Sequence, residues 1–473
     1  MLIAPLAALL PVAFADGGYF RHTWTPTIVA YAALGAMALL LDERLALRRG
    51  EVLAACGLFC FGAWAALSAA WSRAPTDSLE DAQRTLLYVC AFVALLLVSS
   101  RASAVMLLAG VVGAVTVVGG YALGDRLLSG GTVAFDPVEG TLLIEPVGYA
   151  NALGILVALG ALLAVGLVAH SPHPWAGALA GGAVILLLAT LTLTESRGAW
   201  LALAVGLVVV LAGGGRERVV AAVVVLVLPA SLAVILTARA TALRDSAATA
   251  AETRHEGHRL ALALVALALV SAFGTLAVPW LGERLGRLRL GGWFVAGVLV
   301  AAVVALAVTL RGDSFGPRTE YWRVAWHEFA ANRWIGSGSG TFWRFWADSG
   351  AASGVQDAHS LYLETLAELG LVGLAFLVVA LATPLVVALR VRDDPVVALA
   401  AGAYVLFLVH AGLDWDWEMP AVTLAGIACA VALLVSARQS EPGAALETRA
   451  RCAVFVALGL FVALAVIAQL AVG

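Results

Sequence analysis

The chain has 473 residues, 62% of them hydrophobic and 12% charged, with a mean hydropathy of +0.97. No water-soluble fold of this length carries such a composition, so the bilayer is its solvent. A formal net charge of -3 excludes the basic field of a nucleic-acid binder, and the absence of lysine among 28 basic residues fits coding bias in a GC-rich genome better than a binding device.

Lipid cannot hydrogen-bond free backbone groups, so only helices or a closed barrel can span it. The apolar runs here are continuous rather than alternating, which selects helices. In chain order the predicted spans are 2-15, 24-41, 52-71, 84-99, 104-123, 149-169, 175-194, 199-212, 219-236, 260-278, 293-310, 362-389, 396-413, 420-436 and 452-471. Several are short against the roughly 20 residues that cross a hydrocarbon core, giving a count of roughly thirteen to fifteen. The first ends in Ala13, Phe14 and Ala15 before Asp16, like a signal peptide, but it lacks a basic start and is read as a span. Cys56, Cys60, Cys90, Cys429 and Cys452 all fall in apolar runs, where thiols pack as small hydrophobes rather than forming a disulfide framework. The expected fold is an all-α polytopic membrane protein, with 1-473 as a single integral membrane domain.

The short loops carrying Arg44, Arg101, Arg216, Arg284, Arg390 and Arg438 fall on one side if the spans alternate, and by the positive-inside rule that side is the cytoplasm. The chain is therefore placed in the inner (plasma) membrane with its N-terminus inside and the long segments 124-148, 237-259 and 311-361 outside. The last of these holds five of the fourteen Trp between Arg318 and Trp346, too aromatic for a solvated linker. It is expected to be an extracytoplasmic loop subdomain, folded against the membrane.

Four segments can carry chemistry. Ser196, Arg197 and Gly198 form a turn too short to reach far into water, which puts a permanent guanidinium at the outer boundary, either as a functional cation or as an interfacial anchor and partner for Glu195. After Pro317, which suits a first helical position, Tyr321, Trp322, Ala325, Trp326 and Phe329 recur at helical spacing with Arg318, Glu320, Arg323 and Glu328 largely off that face, as in a helix lying in the interface. It is expected to end by Asn332. Gly336, Gly338 and Gly340 follow in a turn that is either a flexible connection or an anion cradle of free amides. His359 is placed in the first turn of a long apolar helix, where the dipole keeps imidazole neutral and able to accept a proton, or where it merely caps. Finally, His410, Asp414, Asp416 and Glu418 lie with two Trp in a tight outward loop, a solvated turn or an acceptor-binding edge, Asp414 being nearest the helix. No nucleotide-binding, zinc-protease or Ser/His/Asp signature appears in its proper context.

As a set, these features resemble the O-antigen ligase/polymerase family of membrane glycosyltransferases. The matching residues are Ser196, Arg197 and Gly198; Arg318 with Trp322 and Trp326; Gly336, Gly338 and Gly340; and His359 through Tyr362 and on to Glu368, Leu369 and Gly370. Tyr149 and Asn151 also look like the family's aromatic-Asn segment. One departure is Ser360, where the family more often has Asn. The resemblance implies a GT-C-like O-antigen ligase fold and transfer of a glycan from a polyprenyl diphosphate carrier to a glycan, lipid or protein acceptor outside the cytoplasm, with inversion and with neither metal nor cofactor. It implies His359 as base, Arg197 and Arg318 as cations for the leaving diphosphate, and Tyr149, Asn151, Trp322, Trp326, Gly338 and Asp414 as substrate contacts. The rival class is a transporter or flippase, against which the scarcity of charge in the span interiors counts.

Overall fold

The structure is a computed structural model that describes residues 9–42, 45–288, 297, 316–350, 354–439 and 444–472. Its helices in chain order are α1 Trp24–Leu41, α2 Arg49–Ser68, α3 Pro75–Val98, α4 Ala104–Leu128, α5 Ala150–His170, α6 Pro174–Thr194, α7 Arg197–Ala212, α8 Arg216–Arg239, α9 Ala250–Gly274 and α10 Val278–Leu288. There follow α11 Arg318–Ala331, α12 Phe342–Asp348, α13 Leu361–Ala388, α14 Pro395–Ala411, α15 Pro420–Ser436 and α16 Thr448–Val472. Ala46–Leu47 and Ala444–Ala445 pair as a two-stranded antiparallel ribbon. Ten described helices are long and apolar enough to cross a membrane, and α7, α14 and α15 are shorter apolar helices. The protein is thus an all-α polytopic membrane protein. Residues 2-8 of the predicted span 2-15, and all of the predicted span 293-310 except residue 297, lie outside the described residues.

Local chemistry accounts for several helix starts. Pro75, Pro174 and Pro420 stand at the first helical position, where the missing N–H costs no hydrogen bond. The Ser196 hydroxyl accepts from the Ala199 amide at 3.3 Å to open α7, and Thr249 and Glu252 form a reciprocal capping box at α9. Two helices begin earlier than their apolar runs: α3 starts at Pro75 rather than 84, and α9 at Ala250 rather than 260. Hydropathy alone misses such polar opening turns.

By internal packing the chain divides into two compact units. The first comprises Met1–Gly17, Val105–Thr309 and Arg392–Phe407. Small residues let its helices close: a Cβ on Gly160 would meet Val115 Cγ1 at 2.5 Å, and one on Gly206 would meet the Gly402 carbonyl oxygen at 2.8 Å. The second comprises Gly18–Ala104, Leu310–Val391 and Leu408–Gly473. There α2 packs on α13, with a Cβ on Gly57 only 2.8 Å from the Ala380 nitrogen and Trp64 Nε1 donating to the Leu369 carbonyl at 3.0 Å.

Candidate active site

Of the candidate residues, Arg318, Trp322, Trp326, Gly338, His359 and Asp414 belong to the second unit, and Tyr149, Asn151 and Arg197 to the first.

In the second unit α11 forms as the sequence predicts, from Arg318 after Pro317 to Ala331 before Asn332. Its buried face differs from the expected one. Tyr321, Val324, Ala325 and Glu328 are buried, whereas Trp326 is 54% exposed. Glu328 is drawn inward by hydroxyl partners: Ser337 Oγ makes a short bond to its Oε1, and Thr341 Oγ1 donates to the same oxygen at 3.1 Å. Burial still pushes its carboxyl up to about 7, against the lowering effect of both hydroxyls. Tyr321, Val324 and Ala325 form a small core with Phe342, Trp346, Ala358 and Ala367.

His359 is not in the first turn of α13. The helix begins at Leu361 with Ser360 as its extended N-cap, whose hydroxyl makes no capping bond, and His359 precedes it in left-handed backbone with φ 53. Neutrality therefore has a cause other than a place in the helix. Burial holds the imidazole below its ordinary pKa and the Arg318 charge adds to this, with the Asp414 carboxylate the strongest opposing influence. His359 Nδ1 lies 3.0 Å from the Asp357 carbonyl oxygen. A carbonyl can only accept, so Nδ1 carries the hydrogen and a neutral ring leaves the lone pair on Nε2. The ring packs on Tyr321 at a centroid distance of 5.0 Å, one turn from Arg318 on α11.

Arg318 Nη2 pairs with Asp414 Oδ2 at 2.6 Å, and Asp414 Oδ1 accepts from the Trp415 amide at 2.8 Å. Asp414 is 1% exposed, so the loop around it is not a solvated turn. His410 Nδ1 lies 2.9 Å from Asp416 Oδ2, both fully buried. Asp414 engages one guanidinium nitrogen, and the fork of Arg318 retains further donors.

Two acids one turn apart on α13 organise the loops around this cluster. Glu364 accepts from the Ala358 amide at 2.9 Å, next to His359. Glu368 accepts from the Gly340 and Phe342 amides at 2.8 and 2.9 Å, and its own carbonyl accepts from Gly338 at 2.8 Å. The glycine-rich turn is therefore packed against α13 with these amides engaged, rather than standing open as an anion cradle. A Cβ on Gly338 would lie 2.4 Å from Ser72 Cβ, and one on Gly336, at φ 72, would lie 2.1 Å from the Glu368 carbonyl oxygen.

A further network in this unit was hidden from sequence reading. Buried Arg84 on α3 pairs with Glu418 and Asp81, each at 2.6 Å, and its Cζ lies 5.4 Å from the Trp417 ring centre. Burial pushes Glu418 up to about 7 although Arg84 pulls it down, and raises Asp357 well above the ordinary carboxylate range. Asp357, Glu364 and Glu418 bring carboxylate oxygens within 4.8 Å of one another, a spacing that a divalent cation can bridge and that shared protons can also satisfy. These acids line a cavity of about 690 Å³ together with Tyr19, Trp343 and Trp346. The available signal was the polar stripe of Asp77, Asp81 and Arg84 at helical spacing just ahead of an apolar run.

In the first unit Arg197 is exposed at the start of α7. Glu195, its nearest acid in sequence, pairs with Arg244 instead. Asn151 Nδ2 donates to the Tyr149 hydroxyl at 2.9 Å at the start of α5. One turn on, a Cβ at Gly154 would meet Ser196 Cβ at 2.8 Å, so this unit sets the aromatic-Asn segment beside the Ser196 turn.

A family model described as O-antigen ligase matches residues 256–379, a stretch that includes Arg318, Gly338 and His359. Comparison with curated proteins gives no match. The family match supports an O-antigen ligase/polymerase assignment, and with it a glycosyltransferase-type membrane enzyme whose partners are a lipid-linked glycan, an acceptor and membrane lipid.

Proposed function

We propose, from the premise of an O-antigen ligase/polymerase-like membrane enzyme, that the protein moves a glycan from a polyprenyl diphosphate carrier to an acceptor hydroxyl on the extracytoplasmic side of the inner membrane. The observation that carries this reading is the grouping, in one unit, of an imidazole kept neutral by burial with a guanidinium one ring contact away. The acceptor hydroxyl gives its proton to His359 Nε2 as its oxygen attacks the anomeric carbon. The bond from that carbon to the diphosphate oxygen breaks with its electron pair on the oxygen, and attack from the opposite face inverts the anomeric centre. Charge growing on the diphosphate is met by the spare donors of Arg318, and Arg197 is a proposed substrate contact of the first unit.

Asp414 holds Arg318 in place in this scheme, and the exposed Trp326, with Trp322, faces the carrier lipid. Tyr149 and Asn151 are further proposed substrate contacts of that unit. Reconstitution with a polyprenyl-diphosphate-linked oligosaccharide tests the reading. His359→Ala and Arg318→Ala are each expected to lower transfer by at least a hundredfold, and full transfer by either variant refutes it. Solute flux with no covalent product would instead favour a transporter.

A further inference from the structure

The cavity of about 690 Å³ is lined by none of the groups assigned to the chemistry above, yet it falls within the usual size of a ligand site, roughly 300–1,000 Å³. Its wall carries two kinds of group. Tyr19, Trp24, Trp343 and Trp346 supply ring surface, while the lining acids number seven against the two guanidiniums of Arg21 and Arg84. Arg21 pairs with Glu80, and Arg84 with Asp81 and Glu418. At the rim Trp343, 37% exposed, donates from Nε1 to Asp77 Oδ2 at 3.0 Å and carries the Arg344 guanidinium 4.4 Å from its ring centre.

Rings beside carboxylates suit a polyhydroxylated ligand. Carboxylate oxygens accept from sugar hydroxyls, and the C–H faces of a pyranose lie against indole and phenol surfaces, which offer large apolar area with a polar tip. Both guanidiniums of the wall are already engaged by carboxylates, so a uronate or a phosphate finds no spare cation there to offset the cost of taking its charge out of water. The same lack of a spare cation turns away the diphosphate of the donor.

The cavity lies beside the proposed base, one residue away from it. Asp357 lines it and supplies the carbonyl bonded to His359 Nδ1. Trp346 lines it and meets Tyr321 edge-on at 4.9 Å, which in turn meets the His359 ring.

We infer that this cavity is the acceptor subsite and takes uncharged or amino-substituted sugar residues while refusing uronate- or phosphate-bearing ones. The inference rests on the reading of His359 as base. It sorts the two substrates by charge, the donor's diphosphate to Arg318 and the acceptor's sugars to the acidic cavity.

The test is retention of the purified full-length protein, in detergent, on arrays of immobilised neutral, amino and uronate oligosaccharides. Neutral or amino sugars are expected to be retained and uronates not, with Trp343→Ala and Asp77→Asn each weakening retention at least tenfold at unchanged melting temperature. Retention of uronates in preference, retention unaffected by both substitutions, or no retention of any sugar overturns the inference. His359→Ala separates the two claims: it should keep array binding and lose transfer. If it keeps transfer, the base assignment fails while the subsite stands, and if it loses transfer while uronates bind best, only the subsite fails.

Discussion

A histidine in left-handed backbone costs about 1–3 kcal/mol and persists only where its surroundings over-determine it. At His359 they do so through the Asp357 carbonyl on Nδ1, the Tyr321 ring, and Glu364 on the neighbouring Ala358 amide. Asparagine tolerates the same backbone but cannot serve as the base. His359→Asn is therefore expected to keep the melting temperature within a few degrees while abolishing transfer, and a collapse in thermal stability would show the ring to be structural. The Asp414 carboxylate opposes the depression of the His359 pKa. Since the neutral ring is the active form, activity falls as pH falls through that pKa. Asp414→Asn removes a charge that favours imidazolium, so the acid limb of the pH–activity profile should move to lower pH. A shift upward would mean that Asp414 does not act on the ring. The identity of this histidine was legible in the sequence, but the reason for its neutrality was not. The predicted span 362-389 came within one residue of the start of α13 at Leu361, but hydropathy cannot show that burial holds down the His359 pKa.

Among elements, the glycine-rich turn and the opening of α13 interlock through close backbone approach as well as through the Glu368 carboxylate. Gly336 and Gly370 both have positive φ, and a Cβ on Gly370 would lie 2.4 Å from the Trp334 carbonyl oxygen. Gly370→Ala should accordingly destabilise by several kcal/mol, seen as a large fall in melting temperature even in variants already inactive at His359. The glycines announced a turn in the sequence. They did not disclose that Glu368 would fill it, because a carboxylate 28 residues away leaves no local mark. Glu328 illustrates the opposite error. Helical spacing assigned it to the polar face of α11, and two hydroxyls of the following turn bury it instead. With a folded pKa of about 7 against an ordinary value of about 4.3, this acid is protonated in the fold while the unfolded chain ionises. Its contribution is fully present below the ordinary value and is lost as pH rises to about 7, on the order of 3 kcal/mol in all. Glu328→Gln should flatten the decline in melting temperature between pH 4.5 and 7, and an unchanged decline would assign it to other acids.

At the scale of the molecule, composition and continuous apolar runs suffice for the fold class, since lipid admits only helices or a closed barrel and runs that do not alternate select helices. They say little about the second unit's interior, where segments far apart in sequence pool their charges. Arg84 and Glu418 are 334 residues apart and meet at 2.6 Å, both side chains less than a tenth exposed. Glu418 was visible in the sequence only as one acid of an outward loop, and the apolar run of α3 conceals Arg84. A buried ion pair is poor evidence of net stability, but removing one partner leaves the other uncompensated, at about 3–5 kcal/mol. In Arg84→Met the cost should depend on pH in a defined direction. Arg84 lowers the Glu418 pKa, so without it Glu418 titrates above its present value of about 7. At pH 5.5 the acid is protonated with or without Arg84, and the variant loses chiefly the guanidinium's own contacts. At pH 8.5 the unfolded chain ionises freely while the fold holds its proton or buries a lone charge, so the deficit grows. Melting curves of wild type and Arg84→Met at the two pH values measure this difference, and Arg84→Met combined with Glu418→Gln should narrow it. A deficit that is equal at both pH values would show that Glu418 is not the group Arg84 compensates.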